Sequence, residues 1–191
     1  MDAQQFFRQF LLNPASTGAV LPSSAFLARE IVDELDLQHA QNVLEYGPGT
    51  GAFTEHIRTR MRPASKLVAI EVNPRLAGVF RLRHPGVPLV QDSVANVRTI
   101  CDRAGMNVVD CIVSGLPWAA FPVSTQTTLL DEMMRVLKPG GRFATFAYIP
   151  GLALPAGKRF AELLPKYFGS VSKSRVVWMN FPPALVYRCR R

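Results

Sequence analysis

The chain is 191 residues long, with 48% apolar and 19% charged side chains, enough to bury one compact core, so a disordered tail or a fibre is excluded. The 22 Lys and Arg against 14 Asp and Glu give a formal net charge of +8, which favours partners rich in phosphate, whether nucleic acid or anionic lipid.

At the amino end, residues 4–12 place Phe6, Phe7, Phe10 and Leu11 on one helical face and Gln5, Arg8 and Gln9 on the other, until Asn13-Pro14 stops the helix. From there on, apolar runs alternate with helical patterns. Strands are predicted over 42–45, 67–71, 87–91, 108–113 and 142–148, and helices over 23–36, 52–61, 75–83, 93–104 and 125–137. This alternation requires a parallel sheet with helices on both faces, an α/β fold in a single domain over 1–191. Beyond Pro155 a helical stretch reaches Tyr167, and two apolar-rich runs follow, 174–179 and 184–189, joined by Asn180-Phe181-Pro182-Pro183. Runs joined so closely pair antiparallel. Five parallel strands closed by a hairpin is the element order of the Rossmann-like, seven-stranded class I methyltransferase sheet; a dinucleotide-binding sheet would continue with parallel units.

The strongest local signal is Val43-Leu44-Glu45-Tyr46-Gly47-Pro48-Gly49-Thr50-Gly51-Ala52-Phe53-Thr54, a buried strand entering a glycine-rich turn and then a helix. Such a turn lets backbone approach a ligand closely. The second strand ends in Glu71, placed to accept both hydroxyls of a ribose, and the third is followed by Asp92, placed to accept from an adenine amino group. A tight strand-to-helix turn alone would use the same glycines; Glu71 and Asp92 favour a ligand. The loop also fits the loose dinucleotide pattern G-x-G-x-x-A. Against a pyrophosphate stand the Glu45 carboxylate at the mouth of the loop and Pro48, which lacks an amide donor. A carboxylate there suits the ammonium and sulfonium of S-adenosylmethionine. The residues expected around that cofactor are Glu45, Tyr46, Gly47, Gly49, Gly51 and Thr54, then Glu71 and Val72, Asp92 and Ser93, and Ser114 and Gly115.

The fourth strand runs into Ser114-Gly115-Leu116-Pro117-Trp118, expected beside the methyl group to be transferred. Nucleobase amine methylases carry Asn or Asp with Pro-Pro-Tyr or Leu-Pro-Tyr there, so Ser114 speaks against a nucleobase. Its hydroxyl and the strand-end carbonyls are candidates for orienting an amine. Trp118 is read either as a substrate contact or as a residue packed on the core. Tyr148, at the end of the fifth strand, is a candidate to orient the amine or accept from it. Transfer to a neutral nitrogen is a one-step displacement, in which alignment and desolvation supply most of the rate and no dedicated base is obligatory. His39, His56 and His84 read as solvated residues.

Cys101, Cys111 and Cys189 form no C-x-x-C pair and have no His at ligand spacing, so neither a disulfide framework nor a metal is expected, and a reducing cytosol is the simplest compartment. The start Met-Asp-Ala-Gln-Gln lacks the features of a signal peptide, and no apolar run is long enough to span a bilayer. The Phe-rich helix over 4–12 fits either packing on the domain or lying in a lipid interface, where Lys and Arg are attracted to anionic headgroups. Lys158, Arg159 and Lys166, set among Phe160, Leu163, Leu164, Tyr167 and Phe168, mark a second stretch suited to that interface. Arg58, Arg60, Arg62 and Lys66 form a further basic cluster that equally fits a solvated edge.

Gly18-Ala19-Val20-Leu21-Pro22-Ser23-Ser24, the glycine loop, Ser114-Gly115-Leu116-Pro117, Tyr148 and Asn180-Phe181-Pro182-Pro183-Ala184 together resemble the bacterial phospholipid N-methyltransferases of the soluble, peripheral type. These in turn look like truncated relatives of the rRNA adenine dimethyltransferases. The resemblance covers nearly the whole chain; Tyr46 stands where the family usually has a small aliphatic residue. It implies stepwise methylation of a lipid headgroup amine, with phosphatidylethanolamine going towards phosphatidylcholine, and S-adenosylhomocysteine as the by-product. It also implies an amino-terminal helix docked on anionic membrane at the inner face of the cytoplasmic membrane, with Ser23, Trp118, Tyr148 and Asn180 on the substrate side. Similar enzymes methylate ornithine lipids. An RNA adenine N6-methyltransferase is the runner-up, and nucleic acid is the less expected partner because such enzymes append a helical RNA-binding domain after the hairpin. A catalytically silent adaptor on the same fold is disfavoured by the intact glycine loop and Glu71.

Overall fold

The computed structural model describes residues 23–191. The helix expected over 4–12 and the motif residues 18–22 lie outside that range.

Helix α1 (Ala25–Val32) begins at Ser24, whose hydroxyl accepts from the Leu27 N–H at 3.2 Å, and it buries Leu27, Ala28, Ile31 and Val32 along one face. Strand β1 (Asn42–Tyr46) leads through the glycine loop to the short α2 (Thr54–Arg58). Strand β2 (Lys66–Ile70) leads to α3 (Pro74–Arg83), which is capped by the Asn73 side chain and opened by Pro74, where a missing N–H leaves no helical bond unmade. Then come β3 (Leu89–Val90), a 3-10 turn (Val94–Asn96), α4 (Val97–Arg103), β4 (Val109–Ser114), a second 3-10 turn (Trp118–Ala120) and α5 (Val123–Val136). The chain continues through β5 (Leu137–Tyr148), α6 (Ile149–Leu152), α7 (Pro155–Tyr167), β6 (Ser170–Lys173) and β7 (Ala184–Arg190).

The seven strands form one sheet in the order β3-β2-β1-β4-β5-β7-β6. The first five are parallel, and β7 lies antiparallel between β5 and β6. Alternation along the strands feeds two cores. Leu44 and Tyr46 of β1 and Ile112 of β4 join α4, α5 and α7 on one face; Val43, Cys111 and Val113 join α1, α2 and α3 on the other. This is the class I methyltransferase architecture expected from the element order.

Three details differ from the sequence reading. Strand β6 lies at Ser170–Lys173, earlier than the run 174–179, because β7 pairs Arg190 with Ser170 and Tyr187 with Lys173. Residues 174–183 are therefore a connecting loop, tied to the sheet by the Val177–Ala184 bridge. Strand β5 starts at Leu137 rather than 142, with a register jump opposite β4 between Val109 and Cys111. The third difference corrects the lipid-interface expectation for 158–168. Phe160, Leu164 and Phe168 are buried, Phe160 stacked on Trp118 with ring centres 4.6 Å apart and Phe168 on Phe143 at 5.5 Å. At roughly 1.5–3 kcal/mol for each large apolar side chain buried, that face of α7 belongs to the core.

Candidate active site

Strand order reverses at β1: the chain leaves it for β2 and β3, then returns to its other side as β4. Ligands of such sheets bind at the carboxyl ends of the strands flanking the reversal. There the Gly47 N–H donates to the Ile70 carbonyl at 2.8 Å and the Gly115 N–H to the Tyr46 carbonyl at 2.7 Å, so the loops after β1 and β4 are locked together. A Cβ on Gly115 would stand 2.5 Å from the Gly47 carbonyl oxygen, a backbone atom that cannot yield. Gly51, at φ +89°, faces His84, whose Nε2 would lie 2.1 Å from a Cβ there. His84, read from sequence as a solvated turn residue, therefore props the glycine loop from the end of α3. No local pattern could have revealed it, because the two residues meet only in three dimensions.

Glu45 is fully buried, and its Oε2 accepts from the Thr54 hydroxyl at 2.8 Å, while Oε1 has no partner. Burial pushes its carboxyl up to about 8. Glu71, also buried, accepts from the Gly49 N–H at 3.1 Å and from the Asn73 N–H at 2.9 Å, so one carboxylate joins the glycine loop to the start of α3. Asp92 accepts from Asn96 Nδ2 at 2.8 Å and the Ser93 N–H at 2.7 Å, and these bonds, Asn96 first, hold it below the usual carboxylate range. The Ser93 hydroxyl caps the turn that brings Asn96 back. Val72 is 68% exposed beside Glu71, an open apolar surface at the rim. The Tyr46 side chain belongs to the core on one face of the sheet, fully buried with an unpartnered hydroxyl. Its carbonyl accepts from the Gly115 N–H and so ties the two loops of the site together.

On the substrate side the expectation for the Ser114 hydroxyl is corrected, and of the two readings of Trp118 core packing is the one its burial favours. Ser114 is fully buried; its hydroxyl oxygen accepts from Trp118 Nε1 at 3.1 Å and from the Leu116 N–H at 3.3 Å, and its carbonyl from the Thr145 hydroxyl at 3.1 Å. It shapes the loop and is not free to orient an amine. Trp118 is 2% exposed, packed among Phe121, Phe143 and Phe160, and it also lines the cavity next to the loop. Asn180 is also buried. Its Oδ1 accepts from the Ser24 N–H at 2.9 Å and its Nδ2 donates to the Pro182 carbonyl at 2.7 Å, so it clamps the 174–183 loop to the start of α1, next to half-buried Ser23.

Tyr148 stands where expected, at the end of β5, with burial pushing its phenol up to about 12. It lines a narrow cavity of about 20 Å³ together with Leu116, Pro117, Phe146, Leu152, Phe160 and Tyr187. That volume holds roughly one water molecule. The walls are apolar apart from the two phenols, and the Tyr187 hydroxyl is buried without a partner.

These features fit S-adenosylmethionine. The orphaned Glu45 oxygen is a buried carboxyl that a cation alongside would restore to its ionised form, and open space beside Gly49 leaves the loop free for close approach. A pyrophosphate would meet that same carboxyl, and Pro48 offers it no N–H.

Comparison with known proteins agrees. Residues 43–141 match the family described as "Methyltransferase domain". The ornithine lipid N-methyltransferase of Singulisphaera acidiphila is 29% identical over 188 residues, 97% of this chain and 94% of that protein. The dimethyladenosine transferase of Yarrowia lipolytica is 31% identical over 101 residues, 53% of this chain but only 31% of that protein. In fold, the O-methyltransferase of Bacillus cereus in complex with S-adenosylhomocysteine superposes with a TM-score of 0.70 at 13% identity, covering 100% of this chain and 92% of that one.

Proposed function

Because the chain belongs to the methyltransferase domain family and is an S-adenosylmethionine-dependent methyltransferase, we propose that its acceptor is the headgroup amine of a membrane lipid, phosphatidylethanolamine going stepwise towards phosphatidylcholine. The observation that carries this reading is the narrow cavity beside Tyr148, which has room for a single small group such as an amine nitrogen and apolar walls that favour its neutral form. The near full-length similarity to a protein named for ornithine lipids supports a lipid amine as the class. The +8 charge supports attraction to anionic membrane, with residues 4–12 as its first contact.

Glu45, Gly47, Gly49 and Glu71 would hold the cofactor, with Asp92 towards its base. When bound, it supplies a methyl group on a sulfonium. The chain's own contribution is placement and exclusion of water. The acceptor nitrogen must offer its lone pair and hence arrive unprotonated, a form that the apolar walls of Leu116, Phe146 and Leu152 favour by disfavouring charge. The Tyr148 phenol stays protonated throughout the physiological range, so it orients the amine as a neutral hydroxyl rather than acting as a phenolate base. After each transfer a proton must leave the nitrogen before the next.

The basic charge also favours an RNA adenine as acceptor, and the test separates the two. Protein incubated with methyl-labelled S-adenosylmethionine is offered vesicles of phosphatidylethanolamine, vesicles of ornithine lipid, and structured ribosomal RNA. Mono-, di- and trimethylated phosphatidylethanolamine in the lipid extract is the expected result. Label confined to RNA overturns the lipid reading, and label confined to ornithine lipid changes the headgroup.

A further inference from the structure

The 174–183 loop carries Trp178, Met179 and Phe181 at 73, 69 and 77% exposure, three large apolar side chains within four residues. They are held outward by a fixed frame. Asn180, between them in sequence, is buried and bonded at both ends of its amide, and Val177 bridges Ala184. A loop that buries its polar residue and presents its aromatic ones is the reverse of what water alone selects.

Its location ties it to the active site. Ala184, where the loop ends, is the register partner of Tyr148, and the Ile149 N–H donates to the Pro183 carbonyl at 2.8 Å. The Asn180–Ser24 bond brings the loop against the start of α1, where Phe26 is a further exposed aromatic at 52%. Charge indicates the kind of partner. Exposed Lys173 and Arg175 lead into the apolar tip, and no Asp or Glu follows Glu162 in the sequence. Apolar side chains held out beside Lys173 and Arg175, with Glu30 of α1 already engaged by Arg188, match the acyl-headgroup boundary of an anionic bilayer.

We infer that Trp178, Met179 and Phe181 form a wedge that enters the lipid interface and seats the mouth of the Tyr148 cavity on the membrane. This deepens the lipid reading and rests on it. It also moves the apolar membrane contact from α7, whose apolar face is core, to a loop that no helix among the described residues covers.

The chain has two tryptophans, and Trp118 is buried, so Trp178 reports on the wedge. The 191-residue chain is mixed with vesicles of phosphatidylglycerol and phosphatidylethanolamine carrying brominated acyl chains. Quenching of the emission is expected, and it should vanish in Trp178→Phe while vesicle binding persists. The triple variant Trp178→Ser, Met179→Ser, Phe181→Ser should partition about tenfold or more weakly. It should keep its cofactor affinity and its rate on a short-chain, water-soluble phosphatidylethanolamine, which does not require a membrane. Three results overturn the wedge: triple-variant binding equal to wild type, vesicle binding without quenching, or a quenching-insensitive Trp178 with concentration-dependent dimerisation that the triple variant abolishes. If brominated vesicles quench Trp178 but no lipid amine is methylated, the wedge stands and the substrate assignment falls.

Discussion

Replacing Glu71 by Ala tests the cofactor site most directly, because every oxygen of that carboxylate can be assigned. An ionised carboxylate offers about four acceptor positions. Two are taken by the N–H groups of Gly49 and Asn73, which leaves two for the vicinal hydroxyls of a ribose. A hydrogen bond to a charged acceptor contributes about 1.5–3 kcal/mol, so the loss of one in net effect weakens binding by roughly 10- to 150-fold. The Ala variant also frees the glycine loop from the start of α3, which places the expectation in the upper part of that range. Glu71→Gln keeps one acceptor oxygen and should fall between it and wild type. Calorimetric titration with S-adenosylhomocysteine provides the measurement, with a melting curve to show that each variant is folded. Unchanged affinity in Glu71→Ala, or tight binding of NAD by the wild type, would refute the assignment.

Glu45, with its carboxyl raised to about 8, binds more protons folded than unfolded between roughly pH 4.5 and 8, so its contribution to stability is lost as pH rises through that window. Glu45→Gln should melt above wild type at pH 8.5 to 9 without cofactor, and should lose the rise in S-adenosylmethionine affinity that wild type shows as pH passes 8; melts and titrations across pH 6 to 9 check both. Tyr148→Phe should lower turnover with little change in cofactor affinity, read from kcat beside a binding titration; equal losses in both would place Tyr148 outside the substrate contact. Trp118→Ala should cost about 3–5 kcal/mol in denaturant unfolding, because it empties a stack with Phe160 and strips the Ser114 hydroxyl of its indole donor. A Trp118 variant that unfolds like wild type would contradict its place in the core.

The parts of the site legible in the sequence are those set within a strand and the turn that follows it. Glu45, Glu71 and Asp92 fall at the carboxyl ends of the first three strands because the period of apolar residues fixes where those strands stop. The glycine loop is visible because its conformation restricts residue type at each position. Ser114 and Trp118 were visible as a loop but not as a mutual bond: the hydroxyl that looked available for substrate is occupied by an indole four residues on. His84 and Asn180 act through partners far along the chain, Asn180 through Ser24 at a separation of 156 residues, and no local spacing encodes such a pairing.

Taken alone, the sequence determined the parallel sheet, the presence of an antiparallel closing strand at its end, the cofactor loop and the carboxylates around it, because backbone periodicity and turn chemistry act over a few neighbouring residues, whereas which segment pairs with β7 was settled by register in the folded sheet. Only the tertiary structure decided what each apolar surface meets. The stripe of α7 and the cluster Trp178, Met179 and Phe181 read alike as apolar residues beside Lys and Arg, yet one is closed over by Trp118 and Phe143 and the other stands in solvent. Hydrophobicity is non-directional: it requires burial but does not name the partner, and the partner is fixed by which elements the sheet order brings together.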